Sequence, residues 1–347
     1  MSAVCSRISP ECGRMVVQAR VLAKRGYERN SMTTKANYRS GADVLDGWRD
    51  DVWSGKPPTF YPIGEGELAR IEIGPGLVTL LGGAPGSGKT AFTMQAVVDA
   101  LRLTPTLRAV VCNIEMPPGV LLDRQLARLS GVDLTTIRYR RLTEEHSERI
   151  ETGMATLAEV CERLAFVRPP FDLINIAAVV DDLDAKLIVL DYIQRIQPPG
   201  EHDNKRGSVD ATMNHLRNFA DGGMAVIVLS AVGRTKDKQG RSSYSGDGLN
   251  LASFRESSEL EFGADDAFIL TPASDGDVIL RHLKSRNGEC RDLRMAFDKP
   301  LQRFTPLDAT EVTSQAEQPS KLQSAIEELW AITAAADDDH DTEGADA

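Results

Sequence analysis

The sequence predicts an α/β fold with three layers, in which helices cover both faces of a mainly parallel central sheet. From residue 77 to residue 230, short apolar runs of strand type alternate with longer stretches of helical composition. Such alternation is typical of parallel strands joined by right-handed helical crossovers. A glycine-rich loop separates the first strand from the first helix, and a hairpin signal, Asn287-Gly288, lies near the end of the series.

The elements of this core follow one another in a regular order. We expect strands at 77–81, 108–114, 164–168, 187–191 and 225–230, and helices at 89–103, 119–130, 144–160, 173–183 and 207–221. Two further strands are expected at 264–270 and 277–283, and the second pairs with 290–297 in a C-terminal β-hairpin. The predicted core therefore spans residues 68–306.

Three segments flank this core. Residues 1–40 are polar, basic and weakly patterned, so we expect a disordered leader. Residues 41–67 are predicted to form a linker helix and a linker, because Trp48 and Trp53 fall with other apolar residues at helical spacing. Residues 307–347 form an acidic tail with one predicted helix, 320–336, which begins at a candidate capping box.

Composition limits the classes of protein that fit. With 347 residues and 41% of them hydrophobic, the chain can bury a proper core. No apolar run approaches the roughly 20 residues needed to cross a bilayer, so we expect a cytoplasmic protein with no membrane partner. The five cysteines show no paired metal spacing, which argues against zinc and against a disulfide framework.

The net charge of −11 is concentrated in the tail. From Glu311 to Ala347 there are ten acidic residues and one lysine, a net of −9, which leaves about −2 for the other 310 residues. The overall acidity therefore does not exclude a nucleic acid as partner of the core.

Residues 83–90 fill every fixed position of the nucleotide-binding pattern G-x-x-x-x-G-K-S/T. They are Gly83, Ala84, Pro85, Gly86, Ser87, Gly88, Lys89 and Thr90. A glycine-rich loop between a strand and a helix directs several backbone N–H groups and the positive end of the helix to one point, where phosphate binds. We expect Lys89 to reach the β- and γ-phosphates and the Thr90 hydroxyl to ligate Mg²⁺. The loop predicts binding of a nucleoside triphosphate.

Two carboxylates follow other predicted strands. Asp191 ends the apolar strand 187–191, where NTPases of this class place an acid beside Mg²⁺; the alternative is an ordinary aspartate that begins a turn. Glu115 follows the strand 108–114, and a carboxylate there can accept a proton from the water that attacks the γ-phosphate.

Four further segments, together with the loop, resemble the successive motifs of the C-terminal ATPase domain of DnaB-type replicative helicases. These segments are 113–117 (Asn-Ile-Glu-Met-Pro), 190–194 (Leu-Asp-Tyr-Ile-Gln), 254–261 (Phe-Arg-Glu-Ser-Ser-Glu-Leu-Glu) with 264–265, and 284–288 (Lys-Ser-Arg-Asn-Gly). The resemblance covers about residues 70 to 305. It implies a RecA-like P-loop NTPase fold and a hexameric ring that hydrolyses ATP between subunits, with single-stranded DNA in its channel and replication proteins as partners.

The resemblance also implies roles for individual residues. Glu115 becomes the catalytic base, and Lys284 and Arg286 match the pair that reaches the nucleotide of the neighbouring subunit. The alternative is that both are solvated hairpin charges. Two basic loops, 197–208 and 234–250, match those that line the DNA channel. Their candidate DNA-binding residues are Lys205, Arg206, Arg234, Lys236, Lys238 and Arg241.

The chain departs from the family pattern at two places. Ser230-Ala231 stands where the family usually has Ser-Gln, whose glutamine is thought to sense the γ-phosphate. Residues 1–67 are too few and too polar for the helical N-terminal domain that receives primase. We expect an ATP-dependent DNA helicase or translocase, of the 5′-3′ type by resemblance. A regulatory or recombination ATPase of the RecA/KaiC type and a helicase loader or inhibitor stay open as alternatives.

Overall fold

A computed structural model describes residues 40–200, 204–233, 235–236, 242–243, 249–254, 259–273 and 276–307. The chain divides into two compact units, Met1–Pro58 and Thr59–Ala347, which are described separately. The predicted leader up to residue 39 and the predicted tail from residue 308, with its helix 320–336, lie outside the described residues.

The first unit contains helix α1, Gly41–Ser54. The helix begins at a capping box, in which the Asp43 N–H donates to Ser40 Oγ at 3.1 Å and the Ser40 N–H donates to the Asp43 carboxylate at 3.3 Å. It ends at Gly55, whose left-handed backbone (φ 65°) closes the last turn. Its large apolar side chains are exposed: Val44, Leu45, Trp48, Val52 and Trp53.

The second unit is an α/β domain. Its strands are β1 (Val78–Gly83), β2 (Ala109–Asn113), β3 (Leu164–Phe166), β4 (Leu187–Asp191), β5 (Ala225–Leu229), β6 (Thr235–Lys236), β7 (Ser242–Ser243), β8 (Asp266–Pro272), β9 (Val278–Ser285), β10 (Leu293–Asp298) and β11 (Arg303–Pro306). Its helices are α2 (Lys89–Leu103), α3 (Pro118–Ser130), α4 (Leu134–Arg138), α5 (Ser147–Cys161), α6 (Leu173–Leu183), α7 (Lys205–Asp221) and α8 (Glu259–Gly263).

Nine of these strands form one sheet within the described part of the chain, in the order β11-β10-β9-β8-β1-β5-β4-β2-β3. The six strands from β8 to β3 pair in parallel, which confirms the mainly parallel sheet. The predicted hairpin is confirmed as β9 and β10, with Leu280 opposite Leu293. Strand β9 also pairs antiparallel with β8, and β11 extends this antiparallel edge.

The two faces of the sheet carry separate apolar clusters, which confirms the three layers. Leu187 and Val189 of β4 pack in a cluster with helices α2, α3 and α5. Ile188 and Leu190, the alternating residues, pack in a second cluster with α6, α7 and α8. Because a strand with both faces covered needs apolar residues throughout, the parallel strands read as continuous apolar runs in the sequence.

Two predicted helix boundaries are wrong by a few residues. The helix predicted at 144–160 begins at Ser147, because Glu144–His146 forms a 3₁₀ turn instead. The helix predicted at 207–221 begins at Lys205, because Asn204 Oδ1 accepts the Gly207 N–H at 2.8 Å and caps the helix there.

A buried ion pair joins α2, which follows the phosphate loop, to α3, which follows Glu115. Arg128 Nη1 donates to both carboxylate oxygens of Asp99, at 2.9 and 3.0 Å. The two side chains are only 7% and 12% exposed. Asp99 also pairs with Arg102 at 3.3 Å, but that arginine is 45% exposed. The Arg128 pair therefore fixes the two helices beside the cleft described below.

We expect Arg128→Ala to lower the free energy of unfolding by about 3 kcal/mol, because the loss of one partner leaves a buried carboxylate poorly compensated. Arg102→Ala is the matched control and should cost less than about 1 kcal/mol, since its pair with the same aspartate is solvated. Urea unfolding of both variants measures the difference, and equal losses would contradict the account.

Candidate active site

A cleft of about 670 Å³ opens where the carboxyl ends of β1, β2 and β4 meet. The residues that follow these strands line it, among them Lys89, Thr90, Glu115 and Asp191. The carboxyl ends of parallel strands share one sheet edge, so side chains far apart in sequence lie together here. The structure thus brings eight of the sequence-predicted site residues into one cleft: Gly83, Pro85, Gly86, Gly88, Lys89, Thr90, Glu115 and Asp191.

The loop before α2 requires glycine at its turns. Gly86 and Gly88 have φ values of 76° and 94°, in the left-handed region that favours glycine. A Cβ at Gly88 would lie only 2.8 Å from the ring of Phe304. The loop is therefore closely packed where α2 begins, and this arrangement suits an anion held by backbone N–H groups at the helix N-terminus.

Lys89 lies in the first turn of α2. Its Nζ donates to the carbonyl oxygens of Gly83 and Ala84, at 2.8 and 2.9 Å. Burial lowers the pKa of Lys89, while the carboxylates of Asp191 and Glu115 act against that shift. The ammonium group is therefore partly desolvated beside the loop, where its attraction for a phosphate is stronger than in water.

Asp191 is buried at the end of β4. Its Oδ2 accepts hydrogen bonds from the Thr90 hydroxyl at 2.6 Å and from Asn113 Nδ2 at 2.7 Å. Burial raises the pKa of Asp191, and the hydrogen bond from Thr90 opposes this. A hydroxyl and a carboxylate side by side are oxygen ligands of the kind that Mg²⁺ prefers, so the residues present fit this ion.

Asn113 is a member of the site that sequence reasoning missed as a functional residue. It lies directly opposite Asp191 in the register of β2 and β4, and its Oδ1 accepts the Met116 N–H at 2.8 Å. Asn113 therefore orients the buried carboxylate and also shapes the turn that carries Glu115. A polar residue at the end of an apolar strand was the available signal, but only the strand register links it to Asp191.

Some residues that line the cleft come from the C-terminal strands and are not indicated by the sequence. Phe297, Lys299 and Gln302 line it from β10 and the turn after it. The Phe297 ring stacks on Phe304 with 4.1 Å between centroids. Gln95 of α2 holds the Phe304 main chain through two hydrogen bonds of 2.8 and 2.9 Å. The C-terminal strands are thus attached to the helix that follows the loop.

Arg124 of α3 also lines the cleft. Among the described residues its buried Nε has no hydrogen-bond partner. Burial and the nearby Arg138 lower the pKa of Arg124, and Asp191 acts in the opposite direction. A desolvated guanidinium in this position adds positive charge to the wall of the cleft.

Ala231 lies in the cleft wall beside Ser230. Gln194 Nε2 donates to Ser230 Oγ at 2.8 Å, and the Ala231 N–H donates to Gln194 Oε1 at 3.4 Å. The methyl side chain of Ala231 offers no hydrogen bond to a ligand in the cleft.

Lys284 and Arg286 lie at the opposite end of the sheet. Strand β8 runs parallel to β1, and β9 returns antiparallel, so that Ser285 lies opposite Asp266 near the start of β1. The five residue steps of β1 from Val78 to Gly83 span about 17 Å at strand spacing. Neither cation is among the residues that line the cleft.

Both cations contact one segment of their own chain, residues 261–265. Lys284 Nζ donates to the carbonyl oxygens of Glu261 and Ala264, each at 2.6 Å. Arg286 Nη1 pairs with Asp265 at 2.7 Å. Burial lowers the pKa of Lys284, and the neighbouring Arg286 adds to the shift. Arg286 follows the end of β9 rather than lying within it.

The candidate DNA-binding residues are only partly described. Lys205 and Arg206 lie in the first turn of α7, so the expectation of a loop through residue 208 is wrong beyond Asn204, which caps that helix. Lys236 lies in β6, and Arg234, Lys238 and Arg241 lie outside the described residues. In the described ranges no group of three or more His, Cys, Asp and Glu side chains is placed to hold a metal ion by itself, and no helix is long and apolar enough to span a membrane.

A glycine-rich loop at the end of β1, with acids at the ends of β2 and β4, defines a P-loop nucleotide-binding domain with a RecA-like fold. The comparison with protein families agrees with this class. The model described as DnaB-like helicase C terminal domain matches residues 73–306, which is 234 of the 347 residues. The chain belongs to this family of DnaB-like helicase C-terminal domains.

Known relatives show the extent of the similarity. Replicative DNA helicase DnaB of Pasteurella multocida (strain Pm70) is 27% identical over 248 residues, which is 67% of this chain and 52% of that protein. The DnaB helicase of Mycobacterium leprae (strain TN) is 25% identical over 214 residues, which is 57% of this chain and 34% of that protein. The chain thus spans about a third to a half of the length of these relatives.

The fold is shared with a solved structure described as a DnaB-like replicative helicase and its interactions with primase. The TM-score is 0.66 at 18% sequence identity, and the match covers 85% of this chain and 75% of the other. The likeness confirms the RecA-like architecture.

We expect Asp191→Asn to raise the midpoint of thermal unfolding of the nucleotide-free protein at neutral pH. Because burial raises the pKa of Asp191, the ionised carboxylate is disfavoured in the folded state relative to the unfolded chain, and an amide removes that penalty. The advantage should shrink as the pH falls through the raised pKa, where the wild-type carboxyl takes up a proton. Circular dichroism at several pH values tests this, and a lower midpoint for the variant at neutral pH would contradict it.

Proposed function

We propose that the chain is a Mg²⁺-dependent ATPase that acts on single-stranded DNA as a ring oligomer, a hexamer by analogy with its family, and works as a DnaB-like helicase or translocase. The observation that supports this best is the convergence of the phosphate loop, Glu115 and Asp191 in one cleft at the carboxyl edge of the sheet. The family membership supports the same activity.

The residues of the cleft divide the chemistry among them. The N–H groups of the loop and the Lys89 ammonium hold the β- and γ-phosphates, and the Thr90 hydroxyl and Asp191 hold Mg²⁺. When bound, Mg²⁺ neutralises charge on the phosphate oxygens. Glu115 accepts a proton from the attacking water while the water oxygen forms a bond to the γ-phosphorus. The bond to the bridging oxygen breaks, and ADP leaves with the electron pair.

Lys284 and Arg286 act on the nucleotide of a neighbouring subunit. Both lie near the start of β1, whereas the phosphate loop follows its end about 17 Å away, so they are badly placed to serve the cleft of their own chain. A second copy can present them to that cleft. An arginine supplied in this way stabilises the charge that develops on the transferred phosphoryl group and makes hydrolysis depend on assembly. The apolar face of α1 is a candidate contact to a neighbouring subunit.

We propose that DNA contacts are made by cations at the start of α7 and in the region after β5. Lys205 and Arg206 begin the helix, and Lys236 with Arg234, Lys238 and Arg241 follows further along the chain. Clustered lysine and arginine side chains bind the phosphate backbone without reading base sequence, which suits movement along a single strand. On this proposal the protein works in the cytoplasm, with DNA replication proteins as further partners.

Ala231 favours a second candidate function. In this family an amide at this place is expected to report the γ-phosphate to the DNA loop, and the methyl group that lines the cleft here has no means to do so. An ATPase of the RecA/KaiC type, in which the nucleotide controls assembly without strand separation, needs no such relay. A helicase loader or inhibitor, whose acidic tail docks on a basic surface, is the related alternative.

The first test is ATP turnover with and without single-stranded DNA. We expect the wild type to hydrolyse ATP faster when single-stranded DNA is present, and Lys89→Ala to lose both the basal and the stimulated rate because it no longer holds the phosphates. Arg102→Ala, far from the cleft lining, is the control. An ATP turnover rate that does not change when single-stranded DNA is added would favour the second candidate function. The absence of ATP turnover by the wild type would refute both candidate functions.

We expect Glu115→Gln to reduce turnover by about 100-fold or more while the protein still binds a Mg²⁺–nucleotide complex. The amide keeps the shape of the side chain but cannot accept the proton of the attacking water. Single-turnover hydrolysis and equilibrium binding of a fluorescent nucleotide separate the two effects. Near-normal hydrolysis by this variant would show that Glu115 is not the base.

A further inference from the structure

Arg286 is held in place by a buried carboxylate. Asp265 Oδ1 lies 2.7 Å from Arg286 Nη1, and the Arg286 N–H donates to the main-chain oxygen of the same aspartate at 3.0 Å. The Asp265 side chain is 3% exposed, whereas that of Arg286 is 49% exposed. Arg286 Nη2 also donates to the main-chain oxygen of Phe262 at 3.4 Å, so the guanidinium is attached to its own domain while about half of the side chain stays exposed.

Asp265 is itself fixed from the other side. Its Oδ2 accepts the Val78 N–H at 2.8 Å and a hydrogen bond from Arg217 Nη1 at 2.5 Å. Arg217 Nη2 also donates to the Gly76 oxygen at 2.7 Å, so α7 and the segment before β1 hold this carboxylate together. Oδ2 is occupied by these two donors, and Oδ1 receives Arg286. The position of the guanidinium therefore follows from the position of β1.

We propose that Asp265 is a positioning residue for Arg286. It holds the guanidinium at the edge of the domain before a neighbouring subunit brings its nucleotide. A long side chain that is already held loses less conformational freedom when it meets a phosphate, and it meets the phosphate in the correct geometry. This inference rests on the proposed function, because it requires Arg286 to act across a subunit boundary.

Asp266 provides a matched control. It is the next residue in the chain, it is also buried, and its carboxylate pairs with His282 Nε2 at 2.9 Å. No contact joins its side chain to Arg286 in the described part of the domain. Asp265→Asn and Asp266→Asn therefore remove the same charge from adjacent buried positions, and only the first change touches Arg286.

The experiment is ATP turnover by pure and mixed variants. We expect Asp265→Asn to lower turnover about 10- to 100-fold, as a misplaced catalytic group does, with unchanged nucleotide affinity because its own cleft is intact. Asp266→Asn should stay near the wild-type rate. In an assembly with head-to-tail interfaces, Lys89→Ala supplies an intact Arg286 although its own cleft is inactive. Mixed in equal amounts with Asp265→Asn, it should restore about a quarter of the wild-type turnover, since a quarter of random interfaces are complete.

The mixture of Lys89→Ala with Arg286→Ala separates this inference from the proposed function. If that mixture regains turnover and the mixture with Asp265→Asn does not, the positioning role is wrong while the shared site stands. If neither mixture regains turnover, the shared site itself is wrong, and the inference falls with it. The inference would also be overturned if Asp266→Asn lost as much turnover as Asp265→Asn and regained as much when mixed with Lys89→Ala. The removal of any buried charge would then have the same effect.

A second variant covers a failure of Asp265→Asn to fold. Asp265→Glu keeps the charge that Arg217 and the Val78 N–H contact but displaces the carboxylate by one methylene group. It should also lose turnover and regain it when mixed with Lys89→Ala. Normal turnover by a folded Asp265→Glu protein would overturn the proposal.

Discussion

The direction of strand β1 is the constraint on which the rest of the account depends. A parallel sheet gathers its carboxyl ends at one edge, and this brings the phosphate loop, Glu115 and Asp191 together. Strand β9 runs antiparallel to β8, and this places Arg286 near the start of β1, at the end opposite to the phosphate loop. The fold therefore separates the residues that bind a nucleotide from those proposed to complete its hydrolysis. A second copy is the simplest way to reunite them.

Within the cleft, burial makes the charged forms of several ionisable groups unfavourable, and a ligand of opposite charge would offset this cost. Burial raises the pKa of Asp191 and lowers that of Lys89, because the charged form of each side chain is less stable in the cleft than in water. Arg124 adds a desolvated guanidinium whose Nε has no hydrogen-bond partner among the described residues. A triphosphate with its metal ion supplies opposite charges to all three. The same buried charges that destabilise the cleft without a ligand thus contribute to its affinity for the triphosphate and its metal ion.

The fold class and the centre of the cleft could be predicted from the sequence, because local patterns encode them. Continuous apolar runs indicate strands covered on both faces, and the glycines before Lys89 indicate a turn that needs left-handed backbone. Asp191 and Glu115 could be placed in the same cleft because each follows a strand of the predicted parallel sheet.

The remaining contacts depend on long-range register, which no local pattern carries. Asn113 contacts Asp191 only because β2 and β4 pair in one register. Phe297 lines the cleft from a strand that lies more than 200 residues after the phosphate loop in the sequence. Asp265 was visible as part of a motif, but its contact with Arg286 requires the pairing of β8 with β9. The observed start of α7 differs from the predicted start because the cap formed by Asn204 lies in a polar stretch that has the composition of a loop.

The most direct test of the central claim is the dependence of ATP turnover per subunit on protein concentration, measured together with the state of assembly by analytical ultracentrifugation in Mg²⁺ and nucleotide. If a second copy completes the site, turnover per subunit should rise with concentration and level off as the oligomer forms. Constant turnover per subunit, down to concentrations at which the protein is monomeric, would contradict the account.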